Sequence, residues 1–339
     1  MIRITLKDIA EEAGVSVSTV SYVLNKRGRV TKEKHKRIIE IANKYSYVPD
    51  ANAKGLVTGI NNNIGLLVNK GADTILQQPF VMKCISEFSK YLRKDFGWLS
   101  LCMVGGMQVD MMRNYLANAN FDGIIILFAE HSEELAELLS IRKTPCVYFD
   151  SFSSGKNIAD IGCDEEQGIK ASVDHLAALG HKRITFLSAK AVTEGDSDIR
   201  QSIFRKTMRA HGFDDKRVVF TGYERKNVYQ VLRQIFQQDE KPTAFVTPSD
   251  KIAWSAIDFL RERNIKVPEE ISVVGFDDAD EPQNEEYGLT TIRQPVAEMV
   301  KASVDCIYAS HDANELMSLQ ERFKPTLIVR ETTAKCSEI

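Results

Sequence analysis

At 339 residues, 43% hydrophobic and 27% charged, the chain has the length for two or three domains and the balance of a soluble globular protein. No run of 18 apolar residues is there to span a bilayer, and Met1-Ile2-Arg3-Ile4-Thr5-Leu6-Lys7-Asp8 puts an acidic residue where a secretory signal is apolar. A membrane role is therefore excluded and a cytoplasmic location expected. The net charge of −3 conceals an asymmetry: residues 1–60 hold eleven Lys/Arg against six Asp/Glu, and the remainder 33 against 41. A basic segment on an acidic body suits phosphate contact with nucleic acid, although a solvated helix face gives the same count. The six cysteines, at 84, 102, 146, 163, 306 and 336, have no CxxC spacing and read as small core residues.

Thr5 precedes apolar positions Leu6, Ile9, Ala10 and Ala13 at helical spacing, and Thr5-x-x-Asp8 forms a capping box, which predicts a first helix over about 6–13. Gly14 ends it and sets a steep turn. Ser16 caps a second helix with Val20, Val23 and Leu24 inward, leaving Ser18, Thr19, Ser21, Tyr22 and Asn25 on a short, uncharged outer face suited to base edges. A third helix follows Thr31, with Ile38, Ile41, Ala42 and Tyr45 inward and Lys32, Lys34, Lys36 and Arg37 placed to reach phosphates.

The stretch from Thr5 to Asn25, TLKDIAEEAGVSVSTVSYVLN, closely resembles the headpiece of LacI/GalR-family transcription regulators. The resemblance implies base readout at Val17, Ser18 and Tyr22: Val17 against a thymine methyl, Tyr22 donating to a base or a phosphate. It continues through Tyr47-Val48-Pro49-Asp50-Ala51-Asn52-Ala53-Lys54-Gly55-Leu56, similar to the family's hinge, which is too short and glycine-bearing to be helical in water and folds on DNA. There Leu56 matches the residue wedged into the central minor-groove step and Lys54 an adjacent, usually arginine, position. The implied DNA-binding set is Thr5, Leu6, Ser16, Val17, Ser18, Thr19, Ser21, Tyr22, Asn25, Thr31, Tyr47, Ala53, Lys54 and Leu56.

After Asn63 the pattern changes to apolar strands (64–68, 99–104, 124–128, 147–149, 184–187, 244–247 and 271–276) separated by amphipathic helices, the signature of parallel sheets covered on both faces. The fold class expected is an all-α helix-turn-helix headpiece followed by an α/β body of two doubly wound parallel-sheet subdomains. That body is similar to the family's periplasmic-binding-protein-like domain, through DHLAALGHKRI at 174–184, VPEEISVVGFDD at 267–278 and LTTIRQP at 289–295. The expected boundaries are 1–48 for the headpiece, 49–61 for the hinge and 62–339 for the effector-binding and dimerisation body. Within the body, one subdomain takes about 62–161 and 293–322, the other about 162–292 and 323–339.

Ligands in such folds sit at the carboxyl ends of strands, in the cleft between subdomains. Asp150 and Asp277 end strands, Arg200 opens a helix after the 184–187 strand, and Asp250 opens a helix after Thr247, either as a cap or as a ligand contact. Carboxylates opposite an arginine fork suit a sugar, and the fork is expected to contact only the ligand. The resemblance implies effector contacts at Arg200, Asp277 and Asp150. Ser249, Gln294, Phe80 after Gln78-Pro79, and Tyr223, stacking on a ring, complete the expected effector set, while Trp98 and Trp254 read as packing residues. Ile203 where glycine is common, and Ser249 where asparagine is, leave the effector's identity open.

No GxGxxG, Walker, GxSxG or HExxH sequence occurs, so neither an enzyme, a cofactor nor a metal is expected. The resemblance implies a homodimer on a pseudo-palindromic operator, most simply a repressor answering a carbohydrate effector. A corepressor-dependent regulator of the purine type, an activator, and an added protein co-effector remain open. No heptad tail follows Arg330, which favours dimer over tetramer.

Overall fold

The computed structural model describes residues 4–24, 30–45, 47, 61–68, 78–92, 97–103, 111, 113–114, 116, 119–127, 144–150, 159–189, 199–279, 282–313 and 319–337. It divides into two compact units, Met1–Asn61 and Asn62–Ile339.

The first unit holds helices α1 (Leu6–Ala13), α2 (Val17–Leu24) and α3 (Lys32–Lys44). The expected capping box closes α1: the Thr5 side chain accepts from the Asp8 amide at 3.4 Å, and Asp8 accepts from the Thr5 amide at 2.7 Å. The Thr5 hydroxyl, which donates to Asp8 Oδ2 at 2.7 Å, and after it the Thr5 amide hold the exposed Asp8 carboxyl below its ordinary range. Gly14 then takes the left-handed conformation, φ 69°, and its amide donates back to α1. A Cβ at Gly14 meets nothing within 4 Å, so an alanine there is strained by its backbone alone. Gly14→Ala is therefore expected to destabilise the headpiece by about 1–2 kcal/mol. Hydrogen exchange of the α1 and α2 amides in the full-length protein checks this; unchanged protection would contradict it.

Ile9, Ala10, Ala13, Val20, Val23, Ile38, Ile41 and Ala42 form the headpiece core, with Leu6, Leu24 and Tyr47 packed against it. Tyr45, expected inward, is instead 39% exposed, because the chain leaves α3 there. Tyr47 takes the inward place, its amide donating to the Ala42 carbonyl at 2.8 Å.

The second unit contains β1 (Asn63–Val68), α4 (Pro79–Tyr91), β2 (Trp98–Met103), β3 (Gly123–Leu127), β4 (Cys146–Phe149), β5 (Ala159–Cys163), α5 (Glu165–Ala178), β6 (Ile184–Ser188), α6 (Ile199–Ala210) and β7 (Val218–Phe220). Then come α7 (Arg225–Ile235), β8 (Ala244–Val246), α8 (Asp250–Glu262), β9 (Ser272–Asp277), α9 (Pro282–Tyr287), β10 (Thr290–Arg293), α10 (Val296–Ala313), β11 (Leu319–Phe323) and β12 (Thr326–Ile328). Two six-stranded sheets result, ordered β11-β5-β4-β3-β1-β2 and β12-β10-β9-β8-β6-β7, parallel except for β12 against β10. The chain changes sheet between β5 and β6, between β10 and β11, and between β11 and β12.

Alternation along the strands explains the layering. In the first sheet Leu66, Val68, Ile125, Leu127, Val147 and Phe149 enter the largest core, while Leu67, Ile124, Ile126 and Tyr148 enter a second one. In the second sheet Phe186, Val246 and Phe276 join α5 and α6 on one side, and Leu187, Phe245 and Val273 join α7 and α8 on the other. Both faces are thus covered, which is why these strands read as continuous apolar runs. The close approach of α10 to β3 depends on Gly123, where a Cβ would lie 2.3 Å from the Ile307 side chain. Trp254 is core as expected, but Trp98, at the start of the edge strand β2, is 65% exposed.

Candidate functional site

Helix α2 carries the first group of candidates. Ser16 caps it, accepting from the Thr19 amide at 3.2 Å, and its hydroxyl shares hydrogen bonds of 2.8 Å with Ser18 Oγ and Thr19 Oγ1. These three hydroxyls satisfy one another. Val17, 44% exposed, and Tyr22, 54% exposed, stand out from the helix as its projecting side chains, with Ser21 half-buried. Thr5 is held in its capping box, Leu6 and Tyr47 pack against the core, and Thr31 is an exposed residue at the start of α3. Arg37 donates to the Glu12 carbonyl at 3.2 Å and Lys44 pairs with the Glu12 carboxylate at 2.7 Å, tying α3 to α1. Lys32 and Lys34 are exposed. Asn25, Ala53, Lys54 and Leu56 lie outside the described residues.

The second group lies in the larger unit. Gln78, Phe80, Val81, Asp150, Arg200, Tyr223, Pro248, Ser249, Asp277 and Gln294 line one cavity of about 470 Å³, its open mouth included. Seven of these were named from sequence as effector contacts, although they come from positions 80 to 294. Strand ends bring them together: Asp150 follows β4, Asp277 closes β9, Ser249 follows β8, and Arg200 starts the helix after β6. Both aspartates hold strained backbone conformations, Asp150 at φ 53° and Asp277 at φ 111°.

Burial dominates the electrostatics. The Asp150 carboxyl is pushed up by desolvation, with Arg200 and Arg322 opposing. Asp277 is pushed well up by the same cause, opposed by Arg200 and reinforced by Asp250. Gln294 Nε2 donates to Asp277 Oδ1 at 2.8 Å, and the amide's oxygen is left without a partner, as is the buried Ser249 hydroxyl.

Two expectations are corrected here. The Arg200 fork does not face ligand alone: Nε and Nη2 donate to the two oxygens of buried Glu165 at 2.5 and 2.6 Å, and Nη1 to the Pro248 carbonyl at 2.5 Å. The guanidinium also lies 3.9 Å over the Phe276 ring. Glu165 was missed because nothing local marks a pair separated by 35 residues. Asp250 is neither a cap nor part of the lining. Its Oδ1 accepts from Thr291 Oγ1 at 2.5 Å and its Oδ2 from the Ala279 amide at 2.9 Å, so it braces β10 and the end of β9. Phe80, open between wall and core, is both, lining the cavity at 6% exposure within the main core.

The model of bacterial regulatory proteins of the lacI family matches residues 5–50, and that of the periplasmic binding protein-like domain matches residues 173–333. Over 337 residues the chain is 27% identical to the HTH-type transcriptional repressor PurR of Photobacterium profundum, covering 97% of this chain and 98% of that protein. It is 28% identical to the PurR of Vibrio atlanticus, over 86% of this chain and 87% of that one. The chain belongs to the LacI/GalR family. Its fold is that of the Lac repressor dimer bound to operator and the anti-inducer ONPF, with a TM-score of 0.84 at 23% identity over 98% of this chain and 100% of that one. A CelR–cellobiose complex has the same architecture, with a TM-score of 0.68 at 21% identity over 97% and 100% of the two chains. This LacI-family member is accordingly a DNA-binding transcription regulator and not an enzyme. Among its described residues no helix is long and apolar enough to cross a membrane.

Proposed function

We propose that the protein is a homodimeric repressor whose hold on a pseudo-palindromic operator is controlled by a small polar effector, a sugar or sugar derivative, in the cavity of the α/β body. In this reading residues 1–48 are the headpiece, 49–61 a hinge that folds on DNA, and 62–339 the sensing and dimerising body. One observation carries the effector. Ser249 Oγ and the Gln294 side-chain oxygen are buried and unpartnered in a cavity that two carboxylates also line. Such atoms cost stability until something supplies their hydrogen bonds, and a ligand with several donors does so.

A way to transmit binding is also present. Asp278, beside the cavity's Asp277, accepts from Arg293 Nε at 2.6 Å and Arg330 Nη2 at 2.8 Å, while its backbone carbonyl accepts from Lys83 of α4 at 2.9 Å. Arg293 and Arg330 stand where the chain leaves β10 and β12, so this clamp joins the chain crossings to the cavity floor and to a helix packed on the first sheet. A ligand that changes the angle between the sheets would load this clamp. The purine-type alternative is favoured by Tyr223, whose ring lines the cavity and can stack on a base, and by the relatives named PurR.

Thermal-shift screening of the full-length protein against sugars, amino sugars and nucleobases, followed by operator titration, tests the reading. A stabilising compound is expected to change operator affinity by at least about fivefold. Asp277→Asn is expected to abolish that change. It is also expected to alter stability with a defined sign: a buried carboxyl with a raised folded pKa is stabilising below its unfolded pKa, and that contribution is lost as pH rises through the folded value. The melting temperature of the variant relative to the unmutated protein should therefore climb as pH rises above the ordinary carboxylate range. A constant difference would contradict the assignment.

A further inference from the structure

We infer that the effector is a small cation, a protonated amine on a polar scaffold such as an amino sugar, and that Glu165 dictates this by occupying Arg200. The inference rests on the effector reading above and adds the ligand's charge. Arg200 is the guanidinium on the cavity lining, and its fork is spent on both oxygens of Glu165 and on the Pro248 carbonyl. Arg322, the other guanidinium acting on Asp150, grips Asp160 at 2.7 and 3.2 Å. Each arginine thus already has a carboxylate of its own. Among the described residues neither Asp150 nor Asp277 forms an ion pair. Asp150 accepts only a long 3.4 Å bond from the Cys163 amide, Asp277 only the amide of Gln294, and the Oδ2 atoms of both accept none.

The cavity therefore holds a set of strong acceptors: two carboxyl groups, the unpartnered Gln294 oxygen, buried to 2% exposure, and the unpartnered Ser249 hydroxyl at 6%, which can accept or donate. An ammonium carries three donors and no acceptor, and its charge is the one the site lacks. A sugar phosphate or other acid meets two buried carboxylates with no uncommitted fork to hold it. A neutral polyol can fill the hydrogen bonds but offers nothing to offset ionising the two carboxyls that burial pushes up, whereas an ammonium does.

Calorimetric titration of the full-length protein with two matched trios tests this: glucosamine, glucose and glucose 6-phosphate; putrescine, butanediol and succinate. The two trios separate an amino sugar from a linear amine. At least one amine is expected to bind tenfold or more tighter than its neutral and acidic counterparts, Asp150→Asn and Asp277→Asn to erase that preference in proteins that melt cooperatively, and Glu165→Gln to raise affinity for the acid. A neutral or acidic member that binds best and alters operator affinity would overturn the cationic inference while leaving the effector reading intact. Amine binding with no change in operator affinity would overturn the effector reading and keep the ligand's charge. Binding by no amine at all would overturn the inference.

Discussion

Arg200→Ala is expected to destabilise the α/β body by about 3–5 kcal/mol, because it leaves the Glu165 carboxylate buried without its partner. Glu165 is 5% exposed and accepts both bonds of the fork, so water does not replace the guanidinium. The loss of the Phe276 contact adds to the effect. For a body of this size the melting temperature should fall by about 6–12 °C. Pairing Arg200→Met with Glu165→Met is expected to recover most of that loss, since removing both charges removes the stranded one. Chemical denaturation of the two variants reads the difference directly. An Arg200→Ala protein as stable as the original, yet blind to every ligand, would mean that the fork serves the ligand alone and that the Glu165 pair is incidental.

Val17→Ala and Tyr22→Ala are each expected to cost about 1–3 kcal/mol of specific operator binding, roughly 5- to 150-fold, with non-specific binding unchanged. Both side chains project from α2 and neither belongs to the headpiece core, so the folded state should lose little. Ser16, Ser18 and Thr19 hold one another and act through the shape of the helix start, so a serine substitution there should shift α2 as well as the DNA contact. Titrating specific and random duplexes at one salt concentration separates the cases. Equal losses on both would place Val17 and Tyr22 on the phosphate backbone and not on bases.

The features legible in the sequence were those whose cause is local or periodic. The Thr5–Asp8 capping box, the Gly14 turn and the buried runs at β1, β3, β4 and β9 each follow from a few neighbouring residues. Strands β5, β7, β10, β11 and β12 were not legible: β7 and β12 are three residues long, Ala-Asp-Ile-Gly-Cys and Thr-Thr-Ile-Arg are broken by polar residues, and Leu-Gln-Glu-Arg-Phe at an edge lacks an apolar run. The cavity lining was readable because strand-end carboxylates and polar loop residues have one common place in such folds. The state of its charges was not. Glu165 against Arg200 and Asp250 against Thr291 are pairs made by the packed sheets, and they convert a supposed free fork into a neutralised one and a supposed ligand into a brace. Trp98 was misread for a related reason, since strand sequence does not state which strand ends the sheet.

Selection of duplexes from a random pool by the full-length protein, at physiological salt and without added ligand, tests the central claim most directly. The account predicts enrichment of a symmetric site, with affinity for it and for random DNA both falling steeply as salt rises and counterions are released. No enriched symmetric site from a folded, ligand-free preparation would contradict a repressor that holds its operator until an effector intervenes.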